Sequence, residues 1–190
     1  MFKYVKKNNL ISALIVAFFT FFIALLVNLG SQALMETISN MFLALILLFI
    51  IIALGIFFNI IGTAATAAAL PPFNARAAKK VFGANQAVKI TKNASAVANY
   101  CNDVIGDIAG TLSGAIGAGI VFSVMDQFSL TNLVLMGAVM TSFIAALTVG
   151  GKAIGKSLAI ENANSIIFKA AIVMAWWENI TGIELFNTRR

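Results

Sequence analysis

The sequence predicts an all-α integral membrane protein built from four transmembrane helices plus a juxtamembrane amphipathic helix. Three observations carry that reading. Hydrophobic residues make up 61% of the chain and charged residues 11%, a balance too apolar for an ordinary soluble domain. Four apolar runs occupy residues 10–27, 41–61, 104–125 and 130–149, each close to the ~20 residues that cross ~30 Å of hydrocarbon. Finally, the 13 Lys and Arg residues avoid the two connections that four spans place outside, which carry only Glu36 and Asp126. Lys3, Lys6 and Lys7 precede the first run; Arg76, Lys79, Lys80, Lys89 and Lys92 follow the second; Lys152, Lys156, Lys169, Arg189 and Arg190 follow the fourth. Basic residues mark the cytoplasmic side. Four spans therefore predict a multi-pass cell-membrane protein with both termini cytoplasmic, whereas three or five would split the charges. Residues 1–190 read as a single transmembrane domain.

The first run is rich in Phe, with Ser12 and Thr20 its polar positions, and reads as a lipid-facing anchor. With Lys3, Lys6, Lys7 and the small residues around Ser31, Gln32 and Ala33 it also resembles a cleavable signal, but it is longer than the roughly 7–15 apolar residues of one, which favours a retained span. The second run passes Asn59 into the small residues Gly62 to Ala69, where Pro71 and Pro72 are expected to stop the helix. Phe73 to Lys92 is basic and moderately helical; a helix with Arg76 and Lys80 one turn apart on one face would lie along the inner leaflet, a solvated connector being the alternative, and Asn93 or Ser95 offers a cap for the next helix.

In the third run Gly106, Gly110 and Gly114 recur every four residues, a spacing that predicts a close helix contact in a membrane. Thr141, Ser142, Ala145, Ala146 and Thr148 of the fourth run are candidates for the facing side. The apolar stretch 166–177 is only 12 residues long, too short to cross, so residues 164–181 read as a juxtamembrane helix. Ile166, Ala170, Val173, Trp177 and Ile180 form one helical stripe, and Lys169 with Trp176 and Trp177 suits a membrane interface.

Composition removes several function classes. With no His and one Cys, His/Cys zinc sites, His-based proton transfer and Cys–His nucleophilic catalysis have no residues to work with. Neither a phosphate-cradling loop nor a serine-nucleophile elbow is present, and an enzyme is not expected. Asn93-Ala94-Ser95 and Asn179-Ile180-Thr181 match the glycosylation pattern on the side expected to be cytoplasmic. The net charge of +6 flanks apolar spans without interleaved stacking aromatics, which points to anionic headgroups of the lipid bilayer and not to nucleic acid. Metal ligands must be oxygens, the chemistry of hard ions such as Mg²⁺ and Ca²⁺. No bound cofactor is expected beyond such a cation as substrate.

The candidate site is at the cytoplasmic start of the third run. Asp103 and Asp107 are four residues apart, Asn99 continues their face one turn earlier, and Asn102 flanks it. A carboxylate deep in a bilayer costs about 2.5–3.5 kcal/mol on insertion scales, so the pair needs a partner. One partner is a divalent cation held by Asp103, Asp107, Asn99 and Asn102 with Thr63 or Thr66 oxygens from the second run; Mg²⁺ is content with one or two carboxylates and several waters. The other is Lys152, as an ion pair or as a fixed charge in the cation's place.

Residues 50–182 resemble the transmembrane domain of the cyclin M/CorC family, which is associated with Mg²⁺ transport. The block from Gly151 to Ala163 matches the family's pattern at Gly151, Lys156, Ala159 and Asn162. Asn99-Tyr100-Cys101-Asn102-Asp103 resembles the family's Asn-rich lead-in to the corresponding helix, and Thr63 to Ala67 occupies the place of its Ser-x-x-Glu-Thr-Ala motif. Lys152 stands where the family has Glu, Gly155 where it has Pro, and small residues replace the motif Glu. The chain stops at Arg190, before the cytosolic domains the family usually carries. The resemblance implies a two-fold homodimer that passes or exchanges a divalent cation, Mg²⁺, among the second, third and fourth spans. A non-transporting scaffold or regulatory subunit that keeps the fold without the ion site is the alternative.

Overall fold

The computed structural model describes residues 7–37, 41–128, 132–182 and 184. Among them every element is a helix and none is a strand. In chain order these are α1 (Lys7–Thr37), α2 (Met41–Ala67), α3 (Leu70–Ala78), α4 (Ala84–Lys92), α5 (Ala94–Phe128), α6 (Leu133–Glu161) and α7 (Ala163–Thr181). Three of them, α2, α5 and α6, are long and apolar enough to cross a membrane. The expected first span lies within α1, whose apolar stretch over described residues is Ala17–Gly30. Lys3, Lys6, Arg189 and Arg190, which bear on where the termini lie, are outside the described residues.

The helices overrun the expected spans at the basic end. α2 continues to Ala67, α5 starts at Ala94 and α6 runs to Glu161, carrying Lys152 and Lys156 in unbroken helix. Apolar runs mark where hydrocarbon starts and stops, while backbone hydrogen bonding has no reason to stop there. The juxtamembrane helix, expected over 164–181, is α7.

α2 is the hub, packing on α5, α6 and α7, while α1 packs on α5. In one half of the bundle Leu48, Ile52, Ile116, Ile120 and Ile144 form a buried aliphatic core. In the other half α3, α4 and α7 close over the ends of α2, α5 and α6, around Phe73, Ile90, Val97, Ile167 and Met174 with many alanines. Pro71 and Pro72 sit in the first turn of α3, after extended Ala69. There their missing N–H groups cost nothing. The Ala69 N–H donates to Asn164 Oδ1 at 2.9 Å, tying α3 to α7. Gly83 precedes α4 at φ +80°, with the Ile172 backbone 3.1 Å from where a Cβ would stand, so only glycine fits that crossing.

Several local expectations are corrected. Asn93 donates its amide to the Lys89 carbonyl at 2.8 Å and makes no side-chain cap for the helix that follows. Lys80 lies beyond α3 in left-handed backbone, so it does not share a helix face with Arg76. The α7 stripe, by contrast, needs no correction, since an interfacial helix keeps such a face outward: Val173, Trp177 and Ile180 are exposed, while Ile167, Ala171 and Met174 point to the core. Within the single chain the glycine repeat of the third run is a helix contact only at Gly106, near Lys152 of α6; Gly110 and Gly114 have nothing within 4 Å of a Cβ position. Close approaches occur instead at Gly55 against Ala109, Gly117 against Ile144, Gly151 against Ile56 and Gly155 against Ile60. Thr141, Ser142, Ala145 and Ala146 are likewise exposed. Spacing puts glycines on one face; which face meets a neighbour depends on helix rotation.

Candidate functional site

Inside α5, residues Asn99–Ile105 form a π-helical segment. Its wider turn carries one more residue than an α-turn, which re-aims the side chains that follow, and such segments in α-helices are frequently found at functional sites. Here it faces α2. Asn59 Nδ2 donates to Asn102 Oδ1 at 3.2 Å, a polar bond between α2 and α5. A Cβ on Gly62 would collide with the Asn102 amide and come within 3.0 Å of the Cys101 Cβ. Gly62 is therefore what lets Asn102 lie against α2, and Cys101 is buried beside it.

The predicted residues fall into two groups. Asn102 is half-buried at the α2 contact, with Thr63 half-buried one residue past Gly62. Thr66 is exposed and donates its hydroxyl to the Thr63 carbonyl at 2.8 Å, within α2. Asn99, Asp103 and Asp107 are all exposed on the outer side of α5. The carboxyl groups of Asp103 and Asp107 make no hydrogen bond or ion pair among the described residues, and no group of three or more His, Cys, Asp or Glu side chains gathers there to hold a metal.

Lys152 comes from α6 into the same region. Its Nζ is 3.7 Å from the Cβ position of Gly106, between the two aspartates in sequence, yet no ion pair joins it to either carboxylate among the described residues. One turn earlier on α6, the buried Thr148 Oγ1 has no hydrogen-bond partner among the described residues. Other hydroxyls in the long helices bond back to their own backbone: Ser113 to the Ala109 carbonyl at 2.8 Å, Thr111 to Asp107 at 2.9 Å and Thr141 to Gly137 at 2.9 Å. Asn59, Asn102 and Lys152 are thus polar side chains set where α2, α5 and α6 converge, with the buried Thr148 hydroxyl one turn before Lys152 on α6. Asn59 and Thr148 were missed as site residues. The signal for Asn59 was a lone amide in an aliphatic run; Thr148 looked like any small residue.

Comparison with protein-family models, with curated proteins and with solved structures gives no match for this chain.

Proposed function

We propose that this chain is a membrane-embedded unit for a divalent cation, with Mg²⁺ as the ion that fits best. In this reading it has four spans, both termini cytoplasmic, and works as a two-fold homodimer. The single observation that carries it is the pair Asp103 and Asp107, two carboxylates without a partner among the described residues, on an apolar helix, the first inside its π-helical segment and the second just after it. Ionisable groups at such positions are costly and mark ion pathways by default. In this reading, their exposure leaves them open to a compensating charge from outside the single chain. A second copy bringing the same face would add two more carboxylates, and four carboxylates repel one another unless a cation sits between them. Hard oxygen donors and no imidazole favour Mg²⁺ or Ca²⁺ over zinc or copper. The cyclin M/CorC resemblance supports the same ion and the same assembly.

A second reading has its own observation. The Lys152 ammonium already stands beside Gly106, so the fold can supply a fixed cation and serve as a scaffold that transports nothing. Calorimetry of the purified protein with Mg²⁺, Ca²⁺ and Mn²⁺ separates the two. The cation reading expects saturable heat, weakened tenfold or more by Asp103→Asn and preserved or strengthened by Lys152→Ala. Silence for every ion, with Lys152→Ala unfolding the protein, establishes the scaffold.

A further inference from the structure

Where α2, α6 and α7 meet, packing leaves a groove of about 450 Å³, within the roughly 300–1,000 Å³ of sites that hold small molecules. Phe57 and Ile61 of α2, Leu158 of α6, and Ile166 and Val173 of α7 line it, with Lys169 as its only charged wall. Phe57 is 55% exposed, Leu158 49% and Val173 66%, so the groove opens sideways onto the apolar surface. In a bilayer that opening meets acyl chains. Lys169 is exposed, and its ammonium makes no ion pair or hydrogen bond among the described residues. Two turns along α7, Trp176 and Trp177 are exposed; such rings settle at headgroup depth. A long lysine at this level keeps its stem on apolar surface and its charge among the headgroups.

An apolar channel with one unmatched cation on its wall has the charge pattern of an acyl chain joined to one anionic group. We propose that the groove binds a single anionic phospholipid, with an acyl chain along Phe57, Ile61 and Val173 and the phosphate on Lys169. A zwitterionic lipid fills the same channel but brings its own cation, so it leaves the Lys169 charge less well matched. The site is separate from the α5 carboxylates and shares with the cation reading only the placement in a bilayer.

The test is thermal unfolding of the full chain in detergent, delipidated and then titrated with phosphatidylglycerol or with phosphatidylcholine of the same chain length. Phosphatidylglycerol is expected to raise the midpoint by several degrees more than phosphatidylcholine. Lys169→Gln should make the two lipids equivalent, whereas Lys156→Gln, on exposed α6 surface away from the groove, should keep the preference. Ala170→Phe, which fills the groove from α7, should blunt the response to both lipids at unchanged helix content. The proposal is overturned if the two lipids act alike on the native chain or if Lys169→Gln retains the full preference. Inorganic phosphate reproducing the shift would overturn it as well, because the acyl chain would then contribute nothing.

Discussion

The two halves of this bundle are held together differently. Around Leu48, Ile52, Ile116, Ile120 and Ile144 the buried core is aliphatic, and helices approach where Gly117 and Gly151 give room to Ile144 and Ile56. In the α3, α4 and α7 layer the helices are cross-linked by polar groups. Gln86 Nε2 donates to Glu178 Oε2 at 2.8 Å, Lys89 Nζ to Glu184 at 3.0 Å, and the Arg76 guanidinium stacks 4.4 Å from the Phe168 ring centroid. Surroundings explain the contrast. Between lipid-facing helices burial in protein gains little over burial in hydrocarbon, so shape and van der Waals contact must hold them. Where helices meet water, apolar side chains such as Phe73 are driven inward, and charged ends can stay hydrated while they pair. The Asn59–Asn102 bond is the exception, a polar cross-link among the long apolar helices.

The largest effect expected from breaking this contrast is at Phe73, which is 1% exposed. Phe73→Ala should cost about 3–5 kcal/mol, read as a lower unfolding midpoint in detergent and early proteolysis between α3 and α4. A loss below about 1 kcal/mol would mean that the layer is not a water-driven core. Next comes Gly62→Val, which forces Asn102 off α2 and should cost about 1–3 kcal/mol. Its partner experiment is Gly110→Val, on the open face of α5, expected to change the stability of the folded chain by less than about 0.5 kcal/mol. Any effect it has should show in oligomeric state by size-exclusion chromatography with light scattering. If the two glycines respond alike, the packing of α5 on α2 is not what sets their roles. The smallest effect is at Lys89, a half-buried residue whose ion-pair partner Glu184 is exposed to solvent. Lys89→Gln should cost at most about 1 kcal/mol, and the difference from the native chain should vanish at high salt.

Helical class, the three long apolar helices and α7 were legible because each rests on a count of apolar residues along the chain. The limits of α2 and α6 were not, since small residues and lysines extend a helix past its apolar run without breaking its hydrogen bonds. Asp103, Asp107 and Asn99 were legible as one polar face, and all three are exposed. That Asn102 turns away from them toward Asn59 was not legible, because the π-helical segment changes the angular step that an α-helical count assumes.

Composition and charge placement, local properties of the chain, were by themselves enough to determine that this protein is helical, apolar and basic at one end of its helices. Which glycine meets a neighbour was decided only in the tertiary structure. Gly106, Gly110 and Gly114 have the regular spacing, yet Gly55, Gly62, Gly117, Gly151 and Gly155 make the close approaches. The reason is physical: spacing along a helix specifies a face, but rotation about the helix axis is set by the summed fit of all neighbours, which no single helix contains.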